Sequence, residues 1–495
     1  MKRTAGGCII AMMVTLVAVD LLFVSLRAEE SLMDGMPVIG RIRAKGVGTH
    51  TSKMWMLGCE CLDRDYAEFL KYRDYILPLG IGRIRLQAGW ARCERERGKF
   101  DFGWLDEPVD WAVAHGVRPT LDLSYGNLLY KGGGQAGLAG EIPSGEEGLA
   151  AWDRWIETLV SRYRGKVDDY LMWNEPDTHR AKNDLRAVAE FNVRTARIIR
   201  RLSPESRIAA LQLAQPTPEN IRMYIKAMGE GWRLFDSVCW HRYGLNPDSR
   251  YADLERIAKV VSEIAPGLKI RHTEAGCISE WADFFAMKHY PWTEIRQAKW
   301  DMRRMIGDIS RGIETSVFTL CDLRYRGKVD AMNRKGLLRA NDAHDVIGIK
   351  KAYRAVQNVV SVFDAGLDRG AGADLSTTDR TVSLFGWRRG AAPLFVFWGH
   401  GPVSFDRGTK EFSLDHAAAP GDGSEKRPLV IDWRGAALKE PVWCDLLTGE
   451  VRVLPMERQI VHSCGVTFTY VPCYDSPCLV TERAAIDMEM RGTEQ

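Results

Sequence analysis

No dense block of basic residues runs through this sequence. Its 495 residues carry 68 Lys+Arg against 65 Asp+Glu, a formal net charge of +3. A nucleic-acid partner needs a basic face to meet the phosphates, so this balance argues against one. Internal repeats and long low-complexity tracts are also absent. The eleven cysteines are scattered. The tightest pair, Cys59 and Cys61, is a Cys-x-Cys and misses the spacing of structural zinc sites. The cysteines read as buried thiols with a few bridges at most, since export permits disulfides without requiring them. Long apolar runs are missing with one exception. Lys2 and Arg3 precede a mainly apolar stretch from Gly6 to Leu26, and Arg27-Ala28 then leads into Glu29-Glu30. This order predicts a secretory signal over residues 1–28 and a secreted or periplasmic protein. Asp20 within the run and the bulky Leu26 near its end keep an uncleaved membrane anchor as the alternative.

What is present is enough apolar residue for a sizeable core: 45% hydrophobic with 27% charged. Short β-rich runs alternate with longer helical ones from residue 44 onward. The runs are 44–50, 81–87, 117–124, 167–174, 206–214, 235–241, 268–275 and 314–321. The segments between them are amphipathic. Phe69, Leu70, Tyr72 and Ile76 share one helical face; Leu185, Val188, Phe191 and Ile198 share another. Eight strands, each followed by a helix, predict an α/β fold, a (β/α)8 TIM barrel over residues 31–363. Past Phe363 the pattern becomes short β runs with turn signals such as Thr448-Gly449. Residues 370–485 are expected to form an all-β sandwich, an accessory domain to which residues 31–43 add a strand.

Two of the barrel runs end on an acid. "VDDYLMWNEP" closes strand four on Asn174 and Glu175, and "KIRHTEAG" closes strand seven with Glu274. The C-terminal ends of barrel strands surround the open mouth where reactive side chains collect. Two carboxylates across such a mouth suit glycosidic bond cleavage. One protonates the departing oxygen, and the other attacks the anomeric carbon or activates water. Arg85 at the end of strand two, and His241 and Tyr243 after strand six, are candidates to keep the second acid ionised. Each of these residues taken alone is more commonly structural. Their placement at several strand ends is what carries the reading.

These motifs resemble the retaining glycosidases of clan A. Within that clan the chain is most similar to glycoside hydrolase family 39 and its β-xylosidase-like relatives. The likeness extends through residues 79–130, through "VFTLCDLRY" and "KKAYRAVQNVVSVFD", and into "PVWCDLLTGEVRVL" of the β region. The resemblance implies that Glu175 is the general acid/base and Glu274 the nucleophile of a double displacement. It makes Asn174 a substrate contact and Arg85, His241 and Tyr243 supporting residues. It implies a polysaccharide or oligosaccharide substrate and no cofactor or metal.

The chain departs from the family at strand eight, which ends in Asp322 where a sugar-stacking Trp is usual. Arg324, Arg326 and Lys328 follow. They read either as a solvated loop or as recognition of a uronic acid carboxylate or a sulfate, since Arg binds such anions bidentately. Trp55, Trp90, Tyr125, Tyr130, Trp281 and Trp292 lie near inferred loops. Trp90 and Tyr125, which directly follow strands, are the favoured sugar platforms. Two competing readings remain. One is a non-catalytic carbohydrate-binding barrel. The other is a metal-dependent hydrolase, against which stands the lack of a His-x-His pair at strand one, where only His50 is found.

Overall fold

A computed structural model of the chain describes residues 32–138, 140–178, 183–327, 329–400 and 426–490. The expected signal or anchor at residues 1–28, and Lys328, lie outside them. Among the described residues no helix is long and apolar enough to cross a membrane. The ten described cysteines are all free thiols, nine of them buried.

One compact unit spans Ala44–Gly366. It is a closed barrel of eight parallel strands: Trp55–Gly58, Arg83–Gln87, Arg118–Asp122, Asp169–Leu171, Arg207–Leu213, Ser237–His241, Lys269–Ala275 and Glu314–Val317. The eighth strand pairs with the first, Trp55 against Thr315, and closes the ring. Seven of these strands fall within the expected runs. The first does not. Residues 44–50 form no strand, and His50 turns back to donate from Nε2 to the Gly46 carbonyl. The strand lies instead at Trp55–Gly58, where all four residues are buried. Neither alternation nor β-branching marks that short stretch.

The helix Leu185–Leu202 forms as its periodicity requires. Asp184 caps it by accepting from the Arg186 N–H, and Val188, Phe191 and Ile198 are buried. The first connection is less regular. It breaks into Phe69–Tyr72 and Ile76–Leu79 with a 3-10 turn between them. Pro78 has no N–H for the carbonyl of Asp74, so a continuous helix would leave that carbonyl unpaired. Phe69, Tyr72 and Ile76 are buried, while Leu70 faces solvent.

The start of strand four carries a buried ion cluster. Arg271 grips Asp169 with two bonds of 2.9 and 2.7 Å, and Arg83 and Thr120 donate to the same carboxylate. These charges tie strands two, three, four and seven together. Burial would push Asp169 up, but the guanidiniums of Arg271 and Arg83 outweigh it and hold the carboxyl down at about 2.

Among the described residues, the second unit contains 32–43 together with the chain after Gly366. Val38–Ile42 pairs with Glu450–Val453 and with Met488–Met490. The barrel unit therefore begins at Ala44 and not at residue 31. Among the described residues this unit has a seven-stranded and a four-stranded sheet. Phe395 and Trp443 from the larger sheet meet Leu429, Ile431, Trp433 and Phe468 from the smaller in one core. The buried residues Leu429, Ile431 and Trp433 alternate along their strand, as a half-buried strand requires. Gly449, at φ 77°, makes the hairpin turn between Pro441–Asp445 and Glu450–Val453.

Asp169→Ala is expected to destabilise the barrel by about 3–5 kcal/mol, because it strands two buried guanidiniums. Asp169→Leu combined with Arg271→Met should cost much less. Urea unfolding of both variants checks this, and equal losses would show that the charge imbalance is not the cause.

Candidate active site

Strand two delivers a fully buried Arg85 beneath the barrel mouth. One nitrogen of its guanidinium donates to Glu60 at 2.8 Å, to Glu274 Oε2 at 2.9 Å and to the Thr273 carbonyl at 3.3 Å. The other donates to Asp122 at 2.6 Å, Asn174 Oδ1 at 2.8 Å and Gln212 Oε1 at 3.1 Å. One side chain thus fixes residues at or just beyond the ends of strands one, three, four, five and seven.

Asn174 and Glu175 lie just past strand four. Asn174 bridges to Gln212 of strand five, and the Glu175 N–H reaches the Gln212 carbonyl at 2.8 Å. Glu175 has φ 48°, a left-handed backbone that a β-carbon makes unfavourable. Such strain persists where surrounding bonds over-determine it, and it clusters at functional sites. The Asn174 amide oxygen is held by Arg85, and its Nδ2 donates to the Tyr125 hydroxyl at 2.8 Å. The second hydrogen on Nδ2 is the one left for a substrate.

Glu274 receives a hydrogen bond from Tyr243 at 2.7 Å on Oε1 as well as that from Arg85 on Oε2. Burial alone would push its carboxyl up. The His241 ring, cationic only in the acid range where this carboxyl titrates, together with the Arg85 guanidinium and the Tyr243 hydroxyl, outweighs that and holds it down at about 2. Glu175 lacks such partners. Burial, followed by the negative charges of Glu274 and Asp177, pushes it up to about 8. Near neutral pH one acid keeps its proton and the other does not.

His241 lies between them. Its Nδ1 is 3.2 Å from Glu175 Oε1, and its Nε2 is 2.8 Å from Thr273 Oγ1. Burial pushes the ring down to about 4, so it is neutral. The surrounding donors fix its tautomer. Arg85 is donor-only, so Gln212 must turn its oxygen toward Arg85, and its Nε2 donates to the Met172 carbonyl. Thr273 then donates to Gln212 Oε1 at 3.4 Å and accepts from His241 Nε2–H. Nδ1 is left bare to accept the Glu175 proton.

Other expected contacts lie elsewhere. Trp90 is fully buried between Tyr130 and Trp155 and donates to Glu94, so it is core and not a sugar platform. Its strand-following position is the same for a ring facing under the helices as for one facing the mouth. Tyr125, the other expected platform, is only 2% exposed and packs edge-on against Trp173; Trp55, Tyr130 and Trp292 are also buried, whereas Trp281 is 60% exposed. Asp322 is buried and neutralised by Lys350 at 2.6 Å and Arg334 at 3.0 Å. Arg324 is paired with Asp330 at 2.8 Å and, from the next hairpin, Asp342 at 3.1 Å, so its charge is already answered. Arg326 is exposed.

Several site residues were not visible in the sequence. Glu60, buried and bonded to Arg85, was hidden by the misplaced first strand. Burial pushes its carboxyl up to about 8 against the pull of Arg85. Lys335 and Gln212 gave no motif. An aromatic row also leaves no sequence motif: Phe285 packs on Tyr325 at 4.8 Å, and Tyr325 stacks on Tyr66 at 4.6 Å. The Arg64 guanidinium lies over both Tyr66 and Tyr125. Beside Tyr125 is a cavity of about 250 Å³, lined also by Asp63, Arg64, Arg92 and Arg95. Single donor atoms of Glu175, His241 and Glu274 fall within 4.8 Å of one another, a spacing compatible with a cation. Arg85 already donates to Glu274 there, and a fixed positive charge beside a ligand opposes a divalent ion.

Solved structures share this architecture. A family 39 glycoside hydrolase from the gut symbiont Bacteroides cellulosilyticus WH2 matches with a TM-score of 0.62 and 15% identity, over 88% of this chain and 81% of that one. A family 39 enzyme from Xanthomonas axonopodis pv. citri gives a TM-score of 0.56 and 15% identity, over 90% and 97% of the two chains. A family 39 β-xylosidase from Caulobacter crescentus gives 0.53 and 17%, over 90% and 98%. The chain has the fold of the family 39 glycoside hydrolases. No protein-family model matches the sequence, and no curated protein does.

The raised Glu175 carboxyl has a consequence for stability. From the ordinary carboxylate range up to about pH 8 the unfolded chain loses this proton while the folded chain keeps it. Stability therefore falls as pH rises through that window. Glu175→Gln removes the titration, so its melting temperature should gain on the parent's by a few degrees between pH 5 and pH 8. A constant difference across that range in a thermal melt series would contradict the assignment.

Proposed function

We propose that the chain is a retaining glycoside hydrolase that cleaves a polysaccharide or oligosaccharide by double displacement. The observation that carries this reading is the pairing of Glu175 with Glu274, whose oxygens lie within 4.8 Å. Retaining enzymes hold their two carboxyl groups roughly 5–5.5 Å apart, whereas inverting ones need roughly 6.5–9.5 Å to admit a water. The opposite proton affinities of the two acids support the same division of labour.

In the first step Glu274 attacks the anomeric carbon and forms an ester bond as the glycosidic C–O bond breaks. Glu175 gives its proton to the departing oxygen and becomes a carboxylate. In the second step Glu175 takes a proton from a water whose oxygen attacks the same carbon. The ester breaks, Glu274 leaves as a carboxylate and Glu175 is protonated again. The bare Nδ1 of His241 accepts from Glu175 in the resting state, and Tyr243 and Arg85 keep Glu274 ionised and aimed. The aromatic row Phe285–Tyr325–Tyr66 offers ring faces for the apolar C–H faces of sugars.

Aryl glycosides of xylose, arabinose, galactose, glucose, glucuronate and iduronate test the reading. Turnover of at least one is expected, with loss in Glu274→Gly. Glu175→Ala should slow substrates with poor leaving groups by about 100–10,000-fold. Azide should rescue both variants: Glu274→Gly gives a glycosyl azide of inverted configuration, Glu175→Ala one of retained configuration. Sugar binding without turnover of any glycoside or polysaccharide would instead favour a binding protein.

A further inference from the structure

Lys335 follows the separate two-stranded hairpin Leu323–Tyr325/Ala331–Asn333, which comes after strand eight in the chain. Its backbone is pinned, because its carbonyl accepts from the Thr319 N–H and from the Gln297 amide. Its side chain is only 3% exposed. The ammonium stands 3.4 Å above the centroid of the Tyr243 ring and 5.4 Å from that of Phe318. Tyr243 is the residue whose hydroxyl bonds Glu274. Burial pulls this ammonium down to about 8, against the Glu274 carboxylate, which holds it up.

The other cations of this region are answered by carboxylates: Arg85 by Glu60, Asp122 and Glu274, Lys350 by Asp322, Arg334 by Asp322 and Glu280. Among the described residues Lys335 has no hydrogen-bond acceptor and no carboxylate within 4.0 Å. Burying an ammonium unpaired is costly, and a ring face offsets only part of that cost. Its N–H donors, apart from any directed at the ring, therefore have no acceptor beside the group that would attack the sugar. A neutral hydroxyl would accept one of them. An anion would also supply the missing countercharge.

The geometry points to Lys335 as the recognition residue for an anionic substituent, a carboxylate or a sulfate, on the sugar seated against Glu274. The inference rests on the glycosidase reading and narrows its substrates to acidic glycans. It also moves anion recognition from Arg324, whose charge is already neutralised, to a residue inside the site.

Calorimetry with glucuronate against glucose, and with galactose 6-sulfate against galactose, tests it without requiring turnover. The parent should bind at least one anionic member about 10–100-fold more tightly than its neutral partner, the range of a hydrogen bond to a charged group. The tighter of the two anions distinguishes a carboxylate from a sulfate. Lys335→Met, which keeps the apolar stem on Tyr243 and Phe318, should abolish the preference by weakening the anionic sugar far more than its neutral partner. Lys335→Gln is the second variant should the first fail to fold. Equal binding of neutral and anionic sugars by the parent, or a preference that survives both substitutions, overturns the inference. Hydrolysis of neutral glycosides without any acidic preference would defeat this inference alone. Anion binding through Lys335 without hydrolysis of any glycoside would defeat the glycosidase reading alone.

Discussion

The fully buried guanidinium of Arg85 is the constraint that orders the site. A charge removed from water must be met by partners of good geometry, or the fold loses several kcal/mol. Here the partners come from the ends of five other strands, so satisfying one arginine fixes Glu60, Asp122, Asn174, Gln212 and Glu274 together. Its consequences spread outward. Because Arg85 only donates, it decides which way Gln212 faces. Gln212 then decides the direction of the Thr273 hydroxyl, and Thr273 decides which His241 nitrogen carries hydrogen. A proton placed on Glu175 is thus oriented by a cation that never touches it.

The same arrangement separates two chemically identical side chains. Glu175 and Glu274 are both nearly buried, and burial favours the neutral form of each. The difference lies in their donors. Glu274 has a guanidinium and a phenol on its oxygens, while Glu175 faces an imidazole nitrogen that accepts. Once Glu274 is ionised, its charge raises Glu175 further. Such a division, one acid and one anion within 4.8 Å, is what displacement at an anomeric carbon by a carboxylate demands.

How much of this was legible in the sequence depended on what kind of signal each residue leaves. An apolar run that stops on an acid is a strong local contrast, and Glu175 and Glu274 stood out for that reason. Arg85, His241 and Tyr243 were legible because they flank such runs. The first strand has four buried residues and no alternation, so a nearby run of glycine and valine took its place and Glu60 was missed with it. Trp90 shows the opposite failure. Its position after a strand was read correctly, but nothing local tells an inward ring from one facing the mouth. Lys335 sits beyond the barrel repeat, just after a hairpin whose path no periodicity describes.

By itself, the sequence determined the alternation of strands and helices, the change to an all-β unit, and the two acids that end strands four and seven. Those are features of local patterning, set by which residues must leave water and at what period. Only the tertiary structure decided which acid holds a proton, which nitrogen of His241 is bare, that Asp322 and Arg324 are neutralised by their own neighbours, and that Lys335 is not. Each of these depends on charges and donors from distant strands meeting at distances of a few ångströms in a medium that screens them poorly, and no stretch of sequence contains that information.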